Sequence, residues 1–144
     1  VAVIYDHDHT AMTYAAAEYM TGIFDEVVII TARERIATDV SLVNRQGIYR
    51  RLYKKNVKII VCAKPTIDSR FEEAEVEYAN IFTGERQIIN DVALFTFANS
   101  RIPNDELVLP LRKAGLELRI IGDCWAPRTV LDATADGYQT GMYI

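Results

Sequence analysis

The stretch VAVIYDHDHTAMTYAAAEYMTGIFDEVVIIT (Val1–Thr31) decides the fold class. It opens with Val1–Tyr5, a short apolar run rich in β-branched residues that is typical of a buried parallel strand. Five residues then recur on one face at helical spacing and predict an amphipathic helix. They are Met12, Ala15, Ala16, Tyr19 and Met20. Gly22 ends this helix, and Glu26–Thr31 is a second predicted strand. A strand, a helix and a strand within about 30 residues make one parallel crossover unit, so the sequence predicts an α/β fold.

The turn after the first strand is where a dinucleotide-binding fold would hold a phosphate group. Here it reads Asp6-His7-Asp8-His9-Thr10 and contains no glycine. A Cβ atom in this turn would hold a pyrophosphate away from the backbone amides. Asp6 and Asp8 also place negative charge where the phosphate charge would lie, which costs on the order of 1–4 kcal/mol near a surface. We therefore expect a dinucleotide-binding scaffold with a degenerate phosphate loop.

The same four acidic and imidazole side chains offer a metal site as an alternative. Carboxylates and imidazoles are suitable ligands for several divalent metals. Alternate residues of an extended segment face opposite sides, however, so the two aspartates would diverge from the two histidines. A solvated turn with Thr10 as the cap of the helix is therefore favoured, and no metal ligand is predicted.

The next segment continues the same pattern. Ser41–Lys55 has the spacing of a second helix, with Ile48 and Leu52 facing inward. Asn56 suits its end, and Val57–Cys62 is a third predicted strand. Basic side chains cover the outward face of the helix, which is interpreted as a solvated face, with docking to another domain or to an acidic partner as the alternative. They are Arg45, Arg50, Arg51, Lys54 and Lys55.

Three short segments with period-two alternation follow and predict an antiparallel meander. They are Pro65–Arg70, Glu75–Asn80 and Glu85–Asn90. Thr83 and Gly84 form a hairpin signal between the last two, and Asp91–Phe97 returns to the pattern of a buried strand. The predicted architecture is a Rossmann-like parallel sheet flanked by helices, with an inserted antiparallel β-meander.

The last third of the chain is predicted to contain a short helix, a strand and a final helix. The short helix or turn spans Leu107–Ala114, where Pro110 marks either a break or a fresh start. Leu116–Ile121 is a predicted strand, and Pro127–Ile144 is a predicted helix. One face of that helix carries Val130, Ala133, Thr134 and Tyr138.

Cofactor-binding residues are predicted between this strand and the final helix, within IIGDCWAPRTVLDATADGYQTG (Ile120–Gly141). Gly122 permits a close approach of backbone to a ligand, and Asp123 can accept hydrogen bonds from sugar or ribityl hydroxyls. The helix N-terminus, with Arg128 in its first turn, favours a pyrophosphate. A plain strand–turn–helix junction, with glycine for the turn and aspartate as a cap, is the alternative.

Other candidate positions are weaker. Arg33 and Arg35 follow the second strand, where a dinucleotide fold can accept a 2′-phosphate, but without a glycine loop they are better explained as solvated charges. No catalytic residue is predicted, because no serine lies in a nucleophile elbow and no cysteine lies near an evident base. Cys62 and Cys124 lack metal spacing and are expected to be reduced thiols of a cytoplasmic protein.

Size and charge exclude several classes of protein. The 144 residues, half of them hydrophobic, can bury one good core. A net charge of −4 without a strong basic patch argues against nucleic-acid or membrane-surface binding. No stretch approaches the roughly 18 apolar residues of a spanning helix, and no signal-peptide pattern is present. Val1 already lies inside a strand pattern, so we expect the chain to be an excised piece of a larger protein.

The closing segment IGDCWAPRTVLDATADGYQTG (Ile121–Gly141) resembles a motif of the trimethylamine dehydrogenase and 2,4-dienoyl-CoA reductase family of NADH:flavin oxidoreductases. In that family a G-D-x-x-x-P-R segment precedes a helix that ends in a D-G-[YH] element. The turn without glycine at Asp6–Thr10 is similar to the amine-dehydrogenase side of the family. The segment ITARERIATDVSLVNRQGIYRRLYKKNVKI also resembles its middle. Reductases of the family keep glycines in this turn and use NADPH, so NADPH binding is not carried over.

This resemblance implies a larger parent protein. Family members join an N-terminal (β/α)8 barrel, which carries FMN and a 4Fe-4S cluster, to two nested nucleotide-binding domains. Residues 1–115 would form the inner NAD(P)-binding-like domain with a degenerate phosphate loop. Residues 116–144 would supply the strand and helix that return to the FAD- or ADP-binding domain. Gly122 and Asp123 then correspond to the Gly-Asp pair that meets the outer nucleotide, with Arg128 close by.

The resemblance also implies an amine dehydrogenase or demethylase-like parent that passes electrons to an acceptor protein and is a homo-oligomer. Within it this chain is expected to be mainly structural, and in isolation it is expected to bind no cofactor and to be inactive. Its expected partner is the rest of the parent chain, with no nucleic acid and no membrane. The alternatives are a functional NAD(P)H-binding domain of a flavin reductase, or a freestanding nucleotide-binding or regulatory module.

Overall fold

The computed structural model describes residues 1–66 and 71–143, which divide into two compact units, Val1–Ser100 and Arg101–Ile144. We call them the N-terminal and C-terminal units. In chain order the strands and helices are β1 (Ala2–Asp6), α1 (Ala11–Met20), β2 (Val27–Ile30), α2 (Leu42–Lys54), β3 (Lys58–Ile60), β4 (Ala63–Pro65), β5 (Val76–Asn80), β6 (Arg86–Ile89), β7 (Leu94–Ala98), α3 (Val108–Lys113) and α4 (Val130–Gly141). No helix among the described residues is long and apolar enough to cross a membrane.

The N-terminal unit is built on a four-stranded parallel sheet with the order β3-β2-β1-β7. Its strands are apolar on both faces, because one face packs on α1 and α2 and the other on the antiparallel sheet. Ala2 and Ile4 of β1 belong to the first of these cores, whereas Val3 belongs to the second. The predicted Rossmann-like fold class is confirmed.

Helix α1 forms where it is predicted, but its apolar stripe is not the buried face. Met12 and Tyr19 are 66% and 74% exposed, whereas Thr13, Tyr14 and Ala17 are buried. The helix is apolar almost all round, so its composition does not fix its rotation. The rotation places the Tyr14 hydroxyl inside the protein, where it meets a buried carboxylate.

A three-stranded antiparallel sheet, β4-β5-β6, supplies the predicted meander. Its first strand lies at Ala63–Pro65 rather than at Pro65–Arg70, and residues 67–70 of that prediction lie outside the described residues. The hairpin signal is confirmed, since Gly84 adopts a φ of +71° between β5 and β6, where a side chain would be strained. Val76 and Tyr78 of β5 carry the side chains that pack on the parallel sheet.

The C-terminal unit departs further from the prediction. Pro110 neither breaks nor starts α3; it lies in the first turn, whose amides have no partner within the helix, so its missing N–H costs nothing. Residues 116–121 form no strand, because a strand needs a paired neighbour and no described segment supplies one. Helix α4 begins at Val130 rather than Pro127. No described residue of this unit is buried, and most of its large apolar side chains are exposed.

Candidate functional site

Two segments that lead into a helix carry the residues that the sequence singles out. We call Asp6–Thr10, between β1 and α1, the opening junction. Gly122–Thr129, which leads into α4, is the closing junction. Both present backbone amides near a helix N-terminus, which is the general design of an anion-binding site.

Asp6 is the centre of the opening junction and is 1% exposed. Its Oδ1 atom accepts a hydrogen bond from the backbone amide of His9 at 3.0 Å, and its Oδ2 atom accepts one from the Tyr14 hydroxyl at 2.5 Å. The Tyr14 oxygen in turn accepts a hydrogen bond from the amide of Ala37. This buried carboxylate therefore ties the turn, α1 and the segment after β2 together.

Asp8 accepts hydrogen bonds from further donors in the turn and in α1. Its Oδ1 atom accepts from the amide of Thr10 at 3.0 Å and from the hydroxyl of Thr13 at 2.8 Å. Thr10 is at the N-cap position but its hydroxyl donates to Asp8 Oδ2, so the predicted cap of α1 by the Thr10 side chain is wrong. The amide of His7 donates to the carbonyl of Ala98. The amides of residues 7, 9 and 10 are thus all satisfied from within the chain.

His9 is buried at 1% exposure and adopts a φ of +57°. Its Nε2 atom is hydrogen-bonded to the Thr31 hydroxyl at 3.2 Å, and its Nδ1 atom lies 3.5 Å from Asp6 Oδ2. Burial lowers the pKa of His9 from its ordinary value, although Asp6 opposes this shift. Burial, followed by the neighbouring Asp6, raises the pKa of the Tyr14 hydroxyl. The sequence did not single out Tyr14 or Thr31, since their roles depend on contacts across the fold.

The predicted divergence of aspartates from histidines does not occur. Asp6 and His9 both point inward, whereas His7 is exposed beside the ring of Tyr5. Across residues 1–66 and 71–143 no group of three His, Cys, Asp or Glu side chains is arranged so that it could hold a metal ion. Arg33 and Arg35, the weaker candidates after β2, are exposed, and Arg33 Nη1 donates to the Thr38 hydroxyl at 3.0 Å.

At the closing junction Gly122 and Arg128 share one internal partner. The amide of Gly122 donates to Asp136 Oδ2 at 3.2 Å, and Arg128 Nη2 donates to the same oxygen at 2.7 Å. Gly122 begins a 3₁₀ turn with a φ of +60°, which explains a glycine here. The sequence analysis does not single out Asp136. The pattern that could have indicated it is its position four residues after Asp132, on the same face of the predicted helix.

Asp123 differs from its neighbours in that its side chain is uncommitted. The residue is exposed, and its carboxylate makes no hydrogen bond within the described part of the chain. Its backbone carbonyl accepts from the amide of Asn104 at 3.4 Å. Asp123 is therefore available as an acceptor for a donor group on a ligand.

The N-terminus of α4 is closed by its own side chains. Thr129 is the N-cap, and it forms a reciprocal capping box with Asp132. The hydrogen bonds from Thr129 hold the pKa of Asp132 below its ordinary value. Arg128 precedes the cap, so its predicted position in the first turn of the helix is wrong.

Solved structures of oxidoreductases match this chain over nearly its whole length. Histamine dehydrogenase from Rhizobium sp. 4-9 is 28% identical, with a TM-score of 0.78 over 96% of this chain and 22% of its own. The 6-hydroxypseudooxynicotine amine oxidase from Pseudomonas geniculata N1 is 19% identical, with a TM-score of 0.82 over 98% of this chain and 21% of its own. A 2-naphthoyl-CoA reductase is 24% identical, with a TM-score of 0.80 over 99% of this chain and 21% of its own.

These matches define the class to which the chain is similar. No protein-family model and no curated protein matches it. The predicted resemblance is nevertheless confirmed: the chain is similar to the C-terminal nucleotide-binding region of flavin oxidoreductases of the trimethylamine dehydrogenase family. It spans about a fifth of the length of those proteins.

Proposed function

We propose that this chain is the C-terminal nucleotide-binding region of an FMN- and iron–sulfur-dependent oxidoreductase of the amine dehydrogenase or demethylase type. In this proposal the N-terminal unit has a structural role. The single observation that carries the structural role is the closed opening junction, where the chain's own carboxylates take the amides that would otherwise bind a pyrophosphate. A coenzyme phosphate would have to displace Asp6 from a fully buried position, at the cost of every hydrogen bond that Asp6 accepts.

The main partner in this proposal is the rest of the parent chain, including its barrel and FAD- or ADP-binding domain. The C-terminal unit supports this, because none of its described residues is buried although it carries many large apolar side chains. A unit of this kind cannot supply its own core and needs a covering surface. We further propose that residues 116–121 pair as a strand in the sheet of the outer domain, where they would find the neighbour they lack here.

Gly122, Asp123 and Arg128 are proposed to lie against the nucleotide of the outer domain, FAD or ADP. Gly122 would allow close approach, and the exposed carboxylate of Asp123 would accept hydrogen bonds from hydroxyl groups. FMN and the 4Fe-4S cluster would be held by the parent's barrel. The proposal extends to a cytoplasmic, homo-oligomeric parent that delivers electrons to an acceptor protein.

The composition of the full-length natural protein tests the assignment. We expect it to contain a barrel domain with a cysteine cluster upstream of Val1, and to purify with flavin absorbance, iron and acid-labile sulfide. An upstream sequence without a barrel or a cysteine cluster would contradict the proposed parent. Absence of flavin from freshly purified protein would contradict it as well.

Calorimetric titration of the same protein with NADH and NADPH tests the structural role of the N-terminal unit. We expect no saturable binding of either dinucleotide. Micromolar NADPH affinity that is lost in Arg33→Ala would favour the functional NAD(P)H domain instead. Glu34→Ala is the matched control, because it changes a neighbouring exposed charge of opposite sign.

A further inference from the structure

We propose that β7 is a contact surface between two copies of the protein, which join edge to edge as antiparallel strands of one continuous sheet. β7 is an outer strand of the parallel sheet, whose order is β3-β2-β1-β7. The inference rests on the homo-oligomeric parent of the proposed function and deepens it, because it names a surface through which the copies meet.

The backbone groups of β7 face two sides. The carbonyl of Ala98 accepts a hydrogen bond from the amide of His7 at 3.0 Å, on the side of the sheet where β1 lies. Successive residues of a strand direct their backbone groups to opposite sides. The amides and carbonyls of Phe95 and Phe97 therefore face away from β1, and no strand within residues 1–66 and 71–143 pairs with them.

The composition of β7 differs from that of the other outer strands. An outer strand exposes unpaired backbone groups, and natural proteins protect such edges from other chains with charged side chains or proline. The outer strands β3, β4 and β6 carry Lys58, Lys64 and Arg86, respectively, and β4 also ends in Pro65. β7 has the sequence LFTFA, which contains neither a charge nor a proline. Its edge is thus suited to pairing and lacks the usual protection against it.

A second copy of β7 fits this edge because the strand is complementary to itself. In antiparallel pairing about a two-fold axis, Phe95 of one copy exchanges two hydrogen bonds with Phe97 of the other, so all four outward groups of each strand are satisfied. The same register places Thr96 opposite Thr96 at the axis. Aromatic pairs and threonine pairs at opposite positions stabilise antiparallel strands, and no like charges meet.

Exposed aromatic rings beside the edge add apolar area to this contact. The side chain of Phe97 is 61% exposed, and the ring of Phe71, which is also exposed, lies 5.1 Å from the ring of Phe95. These three rings border a groove that is also lined by Ala74 and Val92. In the paired arrangement, Phe97 of one copy would lie against Phe95 and Phe71 of the other and cover part of the groove.

Charged substitutions at Thr96 test the two-fold register. The dissociation constant of the dimer is measured by sedimentation equilibrium on the full-length natural protein. We expect Thr96→Lys and Thr96→Glu each to weaken the dimer by about tenfold or more, because like charges meet at the axis. A mixture of the two variants should associate within about threefold of the unchanged protein, because opposite charges then meet there.

Ile88→Lys is the matched control, because Ile88 is an exposed apolar residue of the outer strand β6. We expect it to leave the dissociation constant unchanged. Phe97→Pro is a further variant that removes an outward amide without removing a hydrogen bond to β1, and it should also weaken the dimer. Circular dichroism verifies that each variant is folded. Hydrogen exchange needs no substitution, and we expect the Phe95 and Phe97 amides to exchange slowly in the dimer.

Four outcomes would overturn the inference. They are a monomeric natural protein, a Thr96→Lys dimer as tight as the unchanged one, a mixture no tighter than either variant alone, and fast exchange of the outward amides in the dimer. Slow exchange of those amides in a monomer would assign the edge to another segment of the parent. If the protein contains flavin and is a dimer, failure of the strand tests defeats only this inference, whereas absence of flavin defeats the proposed function.

Discussion

At both the opening and the closing junction a carboxylate of the chain satisfies a backbone amide, but the two carboxylates differ in burial. In each, an aspartate carboxylate accepts hydrogen bonds from a backbone amide and from a second donor side chain. At the opening junction Asp6 is 1% exposed and its partner Tyr14 is fully buried. At the closing junction the side chains of Asp136 and Arg128 are 25% and 43% exposed.

This difference in burial makes the opening junction a structural element and the closing junction an exchangeable contact. A buried carboxylate without hydrogen-bond partners is destabilised by the full free energy of its desolvation, so the opening junction holds a single arrangement. A solvated ion pair exchanges its partners for water at little cost, so the closing junction can rearrange when a ligand or another domain approaches. The comparison can be tested by measuring how much stability each junction contributes.

The largest effect is expected for Asp6→Ala. The substitution leaves the amide of His9 and the hydroxyl of Tyr14 without their acceptor in a buried site, where each lost bond costs about 1–3 kcal/mol. We expect the free energy of unfolding to fall by about 3 kcal/mol or more, measured by urea denaturation followed by circular dichroism.

Asp8→Ala is the matched control, since Asp8 lies in the same turn but is only partly buried. We expect Asp8→Ala to lower the free energy of unfolding by about 1 kcal/mol. An Asp6→Ala protein that is no less stable than Asp8→Ala would show that burial is not what distinguishes the two junctions.

The sequence predicts the scaffold well because the scaffold rests on local patterns. The segments around Val3, Val28 and Ile59 are apolar on consecutive residues, and short β-branched runs of this kind between turn signals are typical of strands in a parallel sheet. The positions of α2 and of the hairpin at Gly84 follow from helical spacing and turn chemistry in the same way.

What the sequence does not predict depends on contacts between distant residues. The rotation of α1 is set by Tyr14 meeting Asp6, and a helix whose only charge is Glu18 gives no indication of its buried side. Asp136 reaches Gly122 across fourteen residues, which no turn or spacing rule specifies. The start of α4 is different, because the Thr129–Asp132 spacing is that of a capping box and could have replaced Pro127 as the predicted start.

An intermediate effect is expected when pH falls. The folded state lowers the pKa of His9 below its ordinary value of 6.5, so the unfolded state takes up the proton first. Stability is therefore complete above pH 6.5 and declines as pH falls below it, by at most about 1.4 kcal/mol per pH unit from this group. The charges that act on His9 are those of Asp6, Asp8, Arg33 and Asp39.

His9→Asn isolates this contribution, because asparagine tolerates the left-handed backbone and does not titrate in this range. We expect the variant to be less stable overall but to lose the decline in urea-unfolding free energy just below pH 6.5. His7→Asn is the control, since His7 is exposed and the decline should persist. Parallel stability curves for the His9 variant and the unchanged protein would contradict the assignment of the decline to the buried ring.

The smallest effect is expected at the closing junction. Arg128→Ala removes the cation that Asp136 and Asp132 share, but both carboxylates stay in contact with water, so we expect the free energy of unfolding to change by less than about 1 kcal/mol. The same urea measurement applies, with Arg101→Ala as the control, because Arg101 is an exposed arginine whose Nη1 atom donates to the Arg128 carbonyl at 3.2 Å. If Arg128→Ala lowers the free energy of unfolding as much as Asp6→Ala does, the closing junction is as rigid as the opening one. The exposed ion pair would then be a structural contact and not one that exchanges easily with water.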